Sequence, residues 1–112
     1  MKVLDSLRPP VGLRVLVTAG ASGIGAAIAH AFHASGARVH VCDIDRPALE
    51  RLTSEVPQIT GTVADASSSS EVDLVFSDVS AILGGLDVLV NNAGVSGPTG
   101  PIEHIEPLDW ER

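Results

Sequence analysis

Apolar positions along the chain repeatedly switch between strand-like and helix-like spacing, and each switch marks an element. Residues 13–18 form a mostly apolar, β-branched run that ends in a Gly-rich turn. From Ile24 the spacing becomes helical. Ile24, Ala27, Ile28, Ala31 and Phe32 share one stripe, and Gly36 stands where a helix C-cap belongs. Residues 38–42 read as a second strand ending at Asp43. Asp45 is placed to cap a short helix with Pro47 in its first turn, which closes before Pro57. Residues 58–64 are a weaker third strand, with Gly61 in its middle. Ser68 followed by Glu71 has the spacing of a capping box. The stripe Val72, Val75, Phe76, Val79, Ile82 and Leu83 then covers three turns, and Gly84-Gly85 ends it. Residues 86–90 are a fourth strand running into Asn91, Asn92, Ala93 and Gly94. An irregular loop through Gly97, Pro98, Gly100 and Pro101 follows, and residues 107–112 read as the first turn of another helix.

Strand and helix alternating over short connections predict βαβ units, hence a parallel sheet covered on both faces. The fold class expected is α/β: a doubly wound, Rossmann-like sheet of about four strands. Residues 1–112 make one domain, and the sequence stops inside an element, so the domain is expected to be incomplete at its C-terminus.

Composition narrows the function classes. With 45% hydrophobic and 19% charged residues, the 112-residue chain is too apolar for disorder. It also lacks a stretch approaching the ~20 apolar residues of a membrane span. Seven basic against fourteen acidic residues give a net charge of -7, which argues against nucleic acid as a partner. A single cysteine, Cys42, excludes an internal disulfide framework. Residues 1–10 contain no apolar run of signal-peptide length, so a reduced, cytoplasmic protein is the default expectation.

Chemistry concentrates where strands end. Gly20, Gly23 and Gly25 turn the chain from the first strand directly into a helix. That arrangement presents unpaired backbone N–H groups at a positive helix terminus, suited to a pyrophosphate. Asp43 ends the second strand 18 residues after Gly25, close to the ~20 expected for an acid that accepts ribose hydroxyls. An S-adenosylmethionine site can present the same pair, so these features alone leave the nucleotide open. Asn91 and Asn92 end the fourth strand, where a doubly wound sheet binds its ligands.

Residues 17–25 and 86–94, taken together, resemble the short-chain dehydrogenase/reductase family over almost all of the chain from about residue 12. The family's nucleotide motif is Thr-Gly-x-x-x-Gly-x-Gly, and Ala19 stands here in place of its first glycine, a mild change unless that position requires positive φ. The resemblance implies an oxidoreductase that interconverts an alcohol and a carbonyl by hydride transfer. It places Ser22 and Ile24 at the pyrophosphate, Asp43 at the adenosine ribose, and Asp65 with Ala66 at the adenine edge. Asn92, Ala93 and Gly94 would line the ribose nearer the nicotinamide. NAD is expected over NADP, because a 2′-phosphate would bring about two negative charges against Asp43. Arg46 is the nearby cation candidate.

Catalysis in that family needs a Tyr whose pKa is held down by a Lys four residues later. The sequence has no tyrosine, and its only lysine is Lys2. No catalytic residue is therefore assigned, and the chain alone is expected to be inactive. The alternatives are a non-catalytic dinucleotide-binding module and, more remotely, an S-adenosylmethionine-dependent methyltransferase. An uncovered apolar edge on the fourth strand would favour self-association, and relatives form oligomers, so a homo-oligomer is expected. No metal site is expected: His30 and His33 read as surface residues and Cys42 as a core thiol. Glu103, His104 and Glu106 read as a surface turn, and Trp110 as a packing residue.

Overall fold

The structure, a computed structural model, describes residues 12–92. Ala93, Gly94, the Gly/Pro-rich loop and the helix start at 107–112 lie outside the described residues. Seven elements alternate: β1 (Arg14–Thr18), α1 (Gly23–Ala34), β2 (Arg38–Asp43), α2 (Arg46–Glu55), β3 (Thr60–Val63), α3 (Ser69–Leu83) and β4 (Val88–Val90). The strands form one sheet in the order β3-β2-β1-β4. Every neighbouring pair is parallel, as the alternation requires. The chain steps outward from β1 to β3 and then returns to the far side of β1. The strand order thus reverses between β1 and β4, the position where Rossmann-like sheets bind ligands.

Both sheet faces are covered, which explains why β1 and β2 are buried on both sides. Val15 and Val17 of β1 and Val39 and Val41 of β2 pack with Ala29 of α1 and with Ala48, Leu49 and Leu52 of α2. On the other face, Leu16 and Cys42 pack with Val75, Val79 and Leu83 of α3.

Helix ends follow local chemistry. The Asp45 side chain accepts the Ala48 N–H at 3.0 Å and caps α2. α3 closes on Gly84, whose φ of 81° is left-handed. The Arg38 guanidinium donates to the Ile82 and Leu83 carbonyls at 2.9 and 3.2 Å, placing positive charge on the negative end of α3.

Two local expectations are corrected. Ser68 is the N-cap of α3, but no capping box forms: its side chain makes no cap bond, and its hydroxyl pairs with that of Ser70. Glu71 instead reaches back to accept the N–H of Asp65 at 2.9 Å, since the bend at 65–68 brings that donor within range. The packed face of α1 is also rotated from the expected stripe. Gly25 and Ala29 are buried and Ile28 and Phe32 half-buried, while Ile24 is 74% exposed and Ala27 and Ala31 are exposed. Close approach explains the shift. A Cβ at Gly25 would meet the Ala19 carbonyl oxygen, so α1 lies nearer to the β1 end than any larger side chain allows.

Candidate nucleotide-binding site

The parallel sheet sends the ends of β1, β2, β3 and β4 to one edge, and there the topology gathers most of the residues singled out in the sequence. Residues 19–22 follow β1, Asp43 ends β2, Asp65 and Ala66 follow β3, and Asn91 and Asn92 follow β4. Ala93 and Gly94 fall outside the described residues.

The loop opening α1 is fastened at successive residues. Asn92 Nδ2 donates to the Ala19 carbonyl at 3.2 Å. The Gly20 N–H donates to the Cys42 carbonyl at 3.3 Å, and the Ala21 N–H to Asp43 Oδ2 at 3.0 Å. Ala19 has φ 51°, the only positive φ at a non-glycine among the described residues. The position occupied by glycine in the family motif therefore does need left-handed backbone, and the exchange for alanine is not mild.

Ser22 is the N-cap of α1, yet its side chain accepts no N–H from the first turn, and that turn holds no acidic residue. The positive end of α1 thus receives no counter-charge from its own first turn, and Ser22, Gly23 and Ile24 are all exposed around it. Asp43 lies beside it, half-buried. Its Oδ1 accepts the Asp45 N–H at 3.0 Å while Oδ2 holds Ala21. Each carboxylate oxygen has a further lone pair, so the group can also accept from a diol. These features fit a dinucleotide: free N–H groups for a diphosphate, and a fixed carboxylate one strand away for a ribose.

Asp65 is differently employed. Its Oδ1 accepts both the N–H and the hydroxyl of Ser67, at 2.9 and 2.7 Å, which together hold its carboxyl below the ordinary carboxylate range. Asn91 is tied to β1, its Oδ1 accepting the Thr18 hydroxyl at 3.2 Å.

Two features here were not singled out from the sequence. Ile44, next to Asp43, is 70% exposed and gives the site edge an apolar surface. Behind the site lies a buried polar chain. Thr62 donates its hydroxyl to Asp78 Oδ2 at 2.6 Å, so it accepts from His40 Nε2 at 2.7 Å, and Thr60 meets Nδ1 at 2.6 Å. With its single proton spent on Asp78, Thr62 assigns His40 the Nε2–H tautomer. Burial pushes the His40 pKa down, against the pull of Asp78. The signal available in the sequence is a histidine at an inward-facing position of a strand that is otherwise apolar. Cys42 is the core thiol expected, and burial raises its pKa to about 11. Among the described residues no group of three or more His, Cys, Asp or Glu could hold a metal, and no helix is long and apolar enough to cross a membrane.

The comparison that decides the family is a match of the short chain dehydrogenase profile to residues 14–112. The chain belongs to the short-chain dehydrogenase family. Two relatives illustrate the likeness. A tropinone reductase homologue of Arabidopsis thaliana is 42% identical over 99 residues, covering 84% of this chain and 38% of that protein. A short chain dehydrogenase/reductase of Gibberella zeae is 34% identical over 116 residues, covering all of this chain and 43% of the relative. Among solved structures, the 3-ketoacyl-(acyl-carrier-protein) reductase of Brucella melitensis complexed with NADH superposes with a TM-score of 0.73 at 32% identity. That match covers 91% of this chain and 42% of the reductase. The chain thus spans less than half the length of these short-chain dehydrogenases.

Proposed function

We propose that this chain is the cofactor-binding half of an NAD-dependent short-chain oxidoreductase that interconverts an alcohol and a carbonyl. The observation that carries the reading is Asp43, a carboxylate fixed by the Ala21 N–H beside the uncapped N-terminus of α1. NAD, when bound, supplies the hydride acceptor. The chain's own residues do the holding: N–H groups at 22–24 for the diphosphate, Asp43 for the adenosine ribose, and Asp65 and Ala66 at the adenine edge. Ala93 and Gly94 would serve the second ribose, with Asn92 beside them donating its amide to the Ala19 carbonyl.

Electrostatics supports NAD over NADP. A 2′-phosphate would sit against the Asp43 carboxylate, in surroundings drier than bulk water, where like charges repel more strongly. Arg46 opens α2 nearby but is exposed, so solvent weakens whatever attraction it offers. The NADH bound to the Brucella melitensis reductase agrees with this preference.

The absence of tyrosine from all 112 residues favours a second statement: these residues alone bind the dinucleotide without turning it over. The substrate is a small alcohol or carbonyl compound, and the working protein is a cytoplasmic homo-oligomer. Calorimetric titration of the chain with NAD, NADP and S-adenosylmethionine tests the reading. NAD should bind best. Preferential binding of S-adenosylmethionine, or no nucleotide binding at all, overturns it.

A further inference from the structure

We infer that Asn92 is a positioning residue for the loop that opens α1, holding Ala19 in left-handed backbone so that the N–H groups beyond it stay aimed at the diphosphate. The inference rests on the dinucleotide reading and adds a role within it, one different from lining a ribose. Ala19 carries a Cβ at φ 51°, a conformation that costs a residue other than glycine roughly 1–2 kcal/mol. Something must offset that cost, or the loop relaxes. The surroundings of Ala19 show what does. Its carbonyl oxygen lies in the space kept free by Gly25 and accepts the Asn92 side-chain amide at 3.2 Å. Relaxing φ to negative values would move that carbonyl and break the bond. The Ala19 N–H also meets the Cys42 sulfur, and the remaining loop bonds, Gly20 to Cys42 and Ala21 to Asp43, begin one residue later; none of these holds the Ala19 carbonyl.

Asn92 reaches Ala19 from β4, whereas the later loop bonds come from β2. The loop is therefore clamped from both neighbours of β1. Its binding-competent shape depends on the β4 side as much as on the carboxylate that would grip the ribose. A loop that holds this shape only part of the time binds its ligand more weakly by that fraction.

A double-mutant cycle with Asn92→Ala and Ala19→Gly tests this, reading NAD affinity by calorimetry and the urea midpoint of the 112-residue chain. With Ala19 present, Asn92→Ala should weaken NAD binding about five- to tenfold and lower the urea midpoint. With glycine at position 19 the strain is gone, so the same substitution should change affinity by about twofold at most and shift the midpoint less. Ala19→Gly should thus rescue Asn92→Ala, which a direct contact between Asn92 and the cofactor would not allow. Equal losses of affinity in both backgrounds overturn the inference. Should the unmodified chain bind no NAD, the cofactor reading fails, while the stability cycle still decides the latch: additive midpoint shifts overturn it and non-additive ones support it.

Discussion

The carboxylate of Asp43 and the backbone N–H of Ala21 are joined by a 3.0 Å hydrogen bond across 22 positions of sequence, so the tip of β2 and the turn leaving β1 form one rigid unit. Replacing Asp43 removes an acceptor from this partly buried N–H and the anion from the site. Hydrogen bonds to charged groups contribute about 1.5–3 kcal/mol each, so Asp43→Ala should weaken NAD at least tenfold. It should also narrow the gap between NAD and NADP, because the repulsion disappears with the charge. Titrating both nucleotides against both proteins checks this, and unchanged NAD affinity would remove Asp43 from the site.

Gly25 has no room for a side chain, because a Cβ there collides with the Ala19 carbonyl. Gly25→Ala should push α1 away from the end of β1. A stability loss of about 1–3 kcal/mol, typical of an overpacked core, is expected in urea denaturation, together with loss of NAD binding. Normal NAD affinity in this variant would mean that the loop tolerates a shifted helix.

The buried His40 makes folding sensitive to pH. Its pKa in the fold is lowered from the usual 6.5, so the fold favours the neutral ring. The associated stability is complete above about pH 6.5 and is lost as pH falls through the lower folded value. One such group changes stability by at most ~1.4 kcal/mol per pH unit. Urea midpoints should therefore fall between pH 7.5 and 5.5, and His40→Gln should flatten that slope. An unchanged slope would exclude His40 as its source.

Cys42, with its pKa near 11 and no exposed surface to speak of, should resist thiol reagents at pH 8 in the native protein. Reaction should begin only at urea concentrations that unfold the chain. Rapid labelling without denaturant would show that the sheet face under α3 opens locally.

Periodicity and punctuation were enough to read the four strands, the three helices and their parallel arrangement, because each depends on local composition. The Gly-rich turn, Asp43 and Asn92 were legible for the same reason, since strand ends in such a sheet must meet at one edge. What escaped depends on distance in space rather than in sequence. The packed face of α1 is set by how near β1 comes, which favours Gly25 and Ala29 over the larger Ile24. Glu71 is drawn from its expected cap to the Asp65 N–H by a bend in the chain. The partners of His40 stand 20 and 22 positions later on β3, Asp78 behind Thr62 comes from α3, and no spacing rule links them.

The ion pair between Arg14 and Asp87 closes a span of 73 positions, with two guanidinium bonds of 2.9 Å. It draws the Asp87 carboxyl down to a pKa of about 2, so the pair stays charged in all but strong acid. Closing a span of that length carries a larger entropy cost than pairing β1 with β2, which needs a far shorter closure. The association of β4 is therefore expected to be the late event in folding. Since Asn92 travels with that strand, a newly made chain would acquire its three-stranded scaffold first and its competence for nucleotide last.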